Sequence, residues 1–253
     1  MTFQPSHEVI TAALQHAADC QPLESCGVVA DGIFMAVPNK ATRYDTFVMD
    51  MPAFLEIANQ HDINAIVHSH IYALPQASDA DRAMCEATAK PWLIVSWPLG
   101  TYATIEPCGF RAPLIGRQWA WGTHDCYGCI RDGIRDYAGI ELPDFDRKWL
   151  WWENGEDTIA EQFASAGFLT VDDQWRHCDV IGMRIWPSKV VNHLGLFLYP
   201  DVILHHMLGR LSAREVYGGM YQQATVLHLR HKDLMMAPPE LPPDYPLWSR
   251  RNG

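Results

Sequence analysis

Residues 66–81 read Ile66-Val67-His68-Ser69-His70-Ile71-Tyr72-Ala73-Leu74-Pro75-Gln76-Ala77-Ser78-Asp79-Ala80-Asp81, an apolar run that ends in His-Ser-His and is followed seven residues later by Ser-x-x-Asp. Residues two apart on a strand point to the same face, so a strand over 65–70 presents both imidazoles together and turns Ser69 away. Asp81, in the first turn of a following helix, supplies an oxygen. Three protein ligands of N, N and O type leave a fourth tetrahedral position for water, the arrangement of a catalytic rather than a structural zinc. Such a metal lowers the pKa of its water; Glu24 is the candidate base for that proton and Ser78 the candidate donor to a developing oxyanion. A plainer reading uses the same residues. Ser78-Asp79-Ala80-Asp81 is also a helix N-cap with an acidic residue at N3, and His-x-His is often only surface or core histidine.

Working outward, apolar residues at helical spacing predict a helix over 7–18, and Asp31-Gly32 between the runs 26–30 and 33–37 predicts a hairpin. A helix over 51–59 with Pro52 in its first turn, the strand 65–70, a helix over 78–89 and strands 92–96 and 101–105 complete an α/β unit. The Pro-, Gly- and Arg-rich stretch 107–121 is a connection, which puts the domains at 1–111 and 112–235, with a tail of 236–253 whose five prolines exclude regular helix. Helices over 125–137 and 158–166 precede strands over 179–186, 193–198, 202–206 and 224–229. Helices first and strands after is the pattern of an α+β fold.

Composition bounds the function. The chain has 253 residues, 48% of them apolar, with 19 basic against 30 acidic side chains and a formal charge of −11. That charge repels phosphate backbones and anionic lipid, so neither nucleic acid nor a membrane is expected as partner. Met1–Asp19 lacks the basic start and apolar core of a secretory signal, and no window approaches the ~20 apolar residues of a bilayer span. Seven cysteines, an odd number at uneven spacing, point to reduced thiols in a cytoplasmic setting.

A second constellation lies further on. In His124-Asp125-Cys126-Tyr127-Gly128-Cys129, Cys126 stands where a helix dipole favours a thiolate. His193, opening an apolar strand, is the candidate base, and His205, across a turn at Tyr199-Pro200-Asp201, the candidate orienting residue. Cys126 and Cys129 also fit a redox pair or half a zinc site, although no second Cys-x-x-Cys exists.

Taken together, Glu24 with Cys26-Gly27, His68-Ser69-His70, Ser78 and Asp81 resembles the signature of the JAMM (MPN-plus) zinc metallopeptidases, with Ile71 where a proline often stands. The resemblance implies zinc held by His68, His70 and Asp81, Glu24 as general base and Ser78 as oxyanion donor. Asp125-Cys126-Tyr127-Gly128, Cys178-Asp179, His193-Leu194-Gly195-Leu196 and His205 resemble the NlpC-type papain-like cysteine peptidases, which cut peptidoglycan stem peptides. Tyr127 replaces the usual serine there, and Cys178 the usual glycine. The two in tandem are similar to the tail tip assembly proteins of lambda-type long-tailed phages, supported by Leu142-Pro143-Asp144-Phe145 and Trp151-Trp152-Glu153-Asn154-Gly155. The resemblance implies other tail tip proteins and peptidoglycan as partners. It also implies assembly in the host cytoplasm, a place at the virion tail tip and action at the bacterial cell wall during genome entry. The alternative is a structural tail-tip component or assembly factor with vestigial sites.

Overall fold

A computed structural model of the chain describes residues 2–41, 44, 47–145, 147–148 and 150–236. It divides into two compact units at Arg111/Ala112. The proline-rich tail lies outside the described residues from position 237 onward. No described helix is long and apolar enough to cross a membrane.

The first unit runs α1 (His7–Cys20), β1 (Cys26–Ala30), β2 (Ile33–Val37), α2 (Met51–Ala58), β3 (Ile63–Ile71), α3 (Asp79–Thr88), β4 (Trp92–Trp97) and β5 (Thr101–Ile105). Its sheet has the order β2-β1-β3-β4-β5. Asp31 and Gly32 both take positive φ, the backbone of a hairpin turn whose twist matches its strands, and β1 pairs antiparallel with β2. The β3 and β4 strands are parallel, and such a pair needs a crossover, which α3 provides. Val9, Ala13 and Ala17 of α1 fall four apart on one stripe and pack on Val29, Ala65, Val67, Leu93 and Val95. The opposite face carries Val28, Ile66 and Trp92 under Cys85 of α3, with Phe54 and Ile57 of α2 packed against them. Alternation along β3 therefore turns His68 and His70 toward the α3 side. The strand is longer than the sequence pattern suggests, and α3 begins at Asp79 because Ser78 is its N-cap.

The second unit comprises α4 (Cys126–Ala138), a 3-10 turn at Trp151–Asn154, α5 (Thr158–Gln162), β6 (Phe168–Thr170), β7 (Val180–Met183), β8 (His193–Leu198), β9 (Val202–His205), β10 (Ala213–Val216), α6 (Gly219–Ala224) and β11 (Thr225–His231). Six antiparallel strands stand in the order β10-β9-β8-β7-β11-β6. Ile130 and Ile134 of α4 share one apolar cluster with Leu194, Leu196, Leu198 and Leu204, so the helix lies across β8 and β9. The other face of the sheet buries Ile181, Met183, Phe197, Ile203, Tyr217 and Tyr221.

Three expected elements are shorter or displaced. The helix expected over 158–166 ends at Gln162, and turns carry the chain to Gly167, which has positive φ. The strand expected over 179–186 begins at Val180 and ends at Met183, because the Asn192 side chain takes the backbone groups of Ile185. The strand expected over 224–229 runs from Thr225 to His231, with α6 in front of it. The edge strands β6 and β10 carried no sequence expectation.

Two candidate active sites

At the C-terminal end of β3 the ligand atoms of His68, His70 and Asp81 lie within 4.8 Å of one another. His68 Nε2 is 3.3 Å from Asp81 Oδ1 and His70 Nε2 3.5 Å from Oδ2. The Leu74 carbonyl only accepts, so His70 Nδ1 donates to it at 2.8 Å, which turns Nε2 toward Asp81. Phe47 stacks on the His68 ring and Trp92 meets it edge-on. His68 Nδ1 has no hydrogen-bond partner among the described residues.

Burial pushes His68 down to about 4, against the pull of Asp81. For His70 burial acts in the same direction, but Asp81, the Leu74 carbonyl and Glu24 outweigh it and raise the pKa. Burial works to raise Asp81, and His70, His68 and Ser78 overcome it, holding the carboxyl well below the usual range. The donor set fits a zinc ion: two imidazoles and one ionised carboxylate converge, and one imidazole is already held with its Nε2 facing inward.

Ser78 is fully engaged in a capping box. Its hydroxyl accepts the Asp81 N–H at 3.1 Å and donates to Asp81 Oδ2 at 2.7 Å, while the Ser78 N–H donates to the same oxygen. Capping and metal ligation are therefore not rivals here, since the cap fixes the rotamer of the carboxylate. Glu24 is buried, and its charge helps to raise His70. Ser25 and Ser69 hold this segment to β3: the Ser25 N–H donates to Ser69 Oγ at 2.8 Å and the Ser69 N–H to the Ser25 carbonyl at 3.0 Å.

In the second unit, Asp125 caps α4 by accepting from the Gly128 N–H at 2.8 Å and the Gly122 N–H at 3.0 Å. Arg147, entirely buried, donates Nε to Asp125 at 2.6 Å and also reaches Asp144 and the Gly122 carbonyl. Its guanidinium lies over the Tyr127 and Phe145 rings, and the Tyr127 hydroxyl donates to the Pro143 carbonyl. The motif's tyrosine thus ties the Pro143–Phe145 segment to the head of the helix. Gly128 is required by space: a Cβ there would stand 1.8 Å from the Thr123 carbonyl oxygen. Gly128→Ala should lower stability by about 1–3 kcal/mol, the usual cost of overpacking; thermal unfolding beside the wild type checks this.

Cys126 is buried in one apolar cluster with Leu194, at the start of β8. His193 and His205 are joined at 2.9 Å between Nε2 and Nδ1, both rings buried. The register puts Gly195 opposite His205 and so makes His193 its diagonal neighbour on one face. No hydrogen bond joins the Cys126 sulfur to the His193 ring. Burial, then the nearby Asp125, push the thiol up to about 12, and burial with His205 and His206 pushes His193 well below the ordinary histidine value. By these shifts the thiol and the imidazole both rest neutral.

Other singled-out residues fall around this centre. Cys129 is buried and, like all seven cysteines, free; His124 is buried beside Asp125, and His206 shares an Nε2 contact with the Arg210 carbonyl at 3.0 Å. Cys178 has a φ of 68°, a left-handed conformation that favours the glycine it replaces. Asp179 is locked by Arg230 at 2.7 Å through each oxygen and by His228 at 2.7 Å. Arg147 and Arg230 carried no sequence signal, since their aspartate partners lie 22 and 51 residues away.

Residues 6–106 match the family model for prokaryotic homologs of the JAB domain. The chain is 36% identical over 234 residues to tail tip assembly protein K of Escherichia phage N15, covering 90% of this chain and 96% of that relative. It is 32% identical over 179 residues to tail tip assembly protein K of Escherichia phage lambda, covering 71% and 87%. Among solved structures, a protein from Desulfitobacterium hafniense is 22% identical with a TM-score of 0.32, covering 39% of this chain and 78% of its own. A lipoprotein-like protein of the NLP/P60 family from Staphylococcus aureus is 14% identical with a TM-score of 0.31, covering 88% and 61%. The protein joins a JAB-like α/β domain to an α+β domain in which a cysteine-headed helix is laid on an antiparallel sheet. It belongs to the family of tail tip assembly protein K.

Proposed function

We propose that the protein is a tail tip assembly protein with peptidase activity, in which the C-terminal domain is a cysteine endopeptidase cleaving peptidoglycan stem peptides during genome entry. Cys126 is the nucleophile, His193 the base and His205 the residue that orients it. The observation that carries this reading is the grouping of the three: Cys126 heads α4 in one buried cluster with Leu194, and His193, the residue before Leu194, contacts His205 at 2.9 Å. The N-terminal domain is a zinc peptidase whose substrate is a wall cross-link or a tail protein, with His68, His70 and Asp81 holding the ion. Zinc bound there would supply a Lewis acid. Glu24 takes a proton, and Ser78 serves an oxyanion only after its hydroxyl turns from Asp81. The protein acts in the host cytoplasm during assembly, then at the virion tail tip against the cell wall, alongside other tail tip proteins.

Mass spectrometry of purified peptidoglycan after incubation with wild type, Cys126→Ala, His68→Ala and a chelated sample tests this. Loss of stem-peptide cleavage in Cys126→Ala alone assigns wall hydrolysis to the second domain. Additional loss with His68→Ala or chelator puts both sites on one substrate. No cleavage by a folded, zinc-loaded wild type would refute the free enzyme.

A second reading, a structural assembly factor, draws on the absence of a Cys126–His193 hydrogen bond and the neutral resting pair. Tail assembly that stops when the protein is deleted but proceeds with Cys126→Ala and His68→Ala combined would favour it.

A further inference from the structure

The contact between His193 and His205 leaves open which ring owns the shared proton. For His193 to accept a thiol proton at Nδ1, its own proton must sit on Nε2 and be donated to His205 Nδ1; His205 must then carry its proton on Nε2. In the reverse tautomer, His205 Nδ1 donates to His193 Nε2, and the His193 proton sits on Nδ1, the nitrogen that a base for Cys126 needs free. Two buried imidazoles alone do not choose between these states.

Among the described residues His205 Nε2 is buried without a hydrogen bond, and Glu215 Oε1 stands 3.8 Å from it. Glu215 stands on β10, the edge strand paired with β9, and its Oε2 accepts the hydroxyl of Tyr221. Tyr221 of α6 also meets the His205 ring edge-on at 4.9 Å. Arg210, between β9 and β10, is 3.9 Å from Oε1 and is the competing cation. The remaining titratable group acting on the two rings is His206.

We propose that Glu215, held by Tyr221, is a positioning residue for the cysteine site: its carboxylate fixes the His205 tautomer and, through it, leaves His193 Nδ1 free to take the thiol proton. A carboxylate only accepts, so a lone pair on His205 Nε2 facing Oε1 is repelled and an N–H there is favoured. The same negative charge stabilises the imidazolium that forms at His193 when the proton moves. This rests on the reading of Cys126 and His193 as nucleophile and base.

The test is imidazole 15N NMR of the full chain with labelled histidine, together with kcat and KM on a stem peptide, for wild type, Glu215→Leu, Glu215→Gln and Tyr221→Phe. In the wild type both His193 and His205 carry the proton on Nε2. Glu215→Leu moves part of the His193 population to Nδ1–H and lowers kcat about 10- to 100-fold with KM nearly unchanged, because a wrong tautomer disables the base without touching substrate binding. Glu215→Gln, which keeps an acceptor oxygen, retains more activity than Glu215→Leu, and Tyr221→Phe gives a smaller loss in the same direction. Wild-type tautomers and kcat in a folded Glu215→Leu would overturn the proposal. A tautomer shift in Glu215→Leu, in a protein whose wild type cleaves no stem peptide, would uphold the relay and overturn the peptidase reading instead.

Discussion

On the proposed reading, Cys126→Ala should lower stem-peptide cleavage by a factor of about 10³ or more, and combining it with His193→Ala should add little, because a nucleophile and its base act as one unit. The fall appears in kcat. Cys126→Ser changes a single buried atom, so it should lose activity comparably while melting near the wild type, which separates chemistry from folding. The pH profile gives a second check. His193 must be neutral to accept a proton, and its pKa is held well below the usual value, so the acid limb of kcat/KM should lie below pH 6.5. The thiol stays protonated to about 12, so iodoacetamide labelling of Cys126 in the resting protein should still be rising above pH 9. An unchanged kcat in Cys126→Ser, or labelling that saturates near neutral pH, would sink the account of a buried neutral pair.

The first unit is legible in the sequence because its signals are local. A period of two over Ile66–His70, the turn at Asp31-Gly32 and the Ser78 cap each depend on neighbours within a few positions. The His-Ser-His stretch on the β3 face turned to α3 follows from the same alternation that buries Ile66, and Asp81 reaches it because the cap fixes it at N3. The head of α4 was equally readable, since Asp125 caps the Gly128 N–H three residues on.

What was not readable depends on contacts far apart in the chain. Arg147 and Arg230 look like surface charges in the sequence, yet each is buried against an aspartate brought to it by the fold. Glu215 lies on a four-residue edge strand with half its side chains exposed, too short and too polar to register as a strand, and so its place beside His205 could not be foreseen. Ser78 shows a different limit. The capping and oxyanion readings name the same residue, and only its hydrogen bonds to Asp81 reveal that the cap holds in this state.

The proposed zinc site gives the second large effect. Wild type should bind one zinc per chain, and Asp81→Ala or His68→Ala should weaken it by about 10²- to 10³-fold, since apparent binding of 10–16 kcal/mol shared over a zinc site's ligands puts roughly 3–4 kcal/mol on each. Competition against a chromophoric chelator measures this without a substrate. The apo cluster argues for a gain in stability on binding: His70 and Asp81 pair with each other, while His68 is buried with an unpartnered Nδ1 and a pKa near 4, already deprotonated for a metal. Zinc at 100 times its Kd would stabilise the folded state by about 2.7 kcal/mol, and a chelator would reverse that. Ser78→Ala separates cap from ligand set. It removes the hydroxyl that donates to Asp81 Oδ2, so it should loosen the carboxylate and lower zinc affinity far less than Asp81→Ala does. Equal zinc affinity in wild type and Asp81→Ala would mean that the three side chains converge as a helix cap beside two core histidines, and the N-terminal domain would then have no metal chemistry at β3.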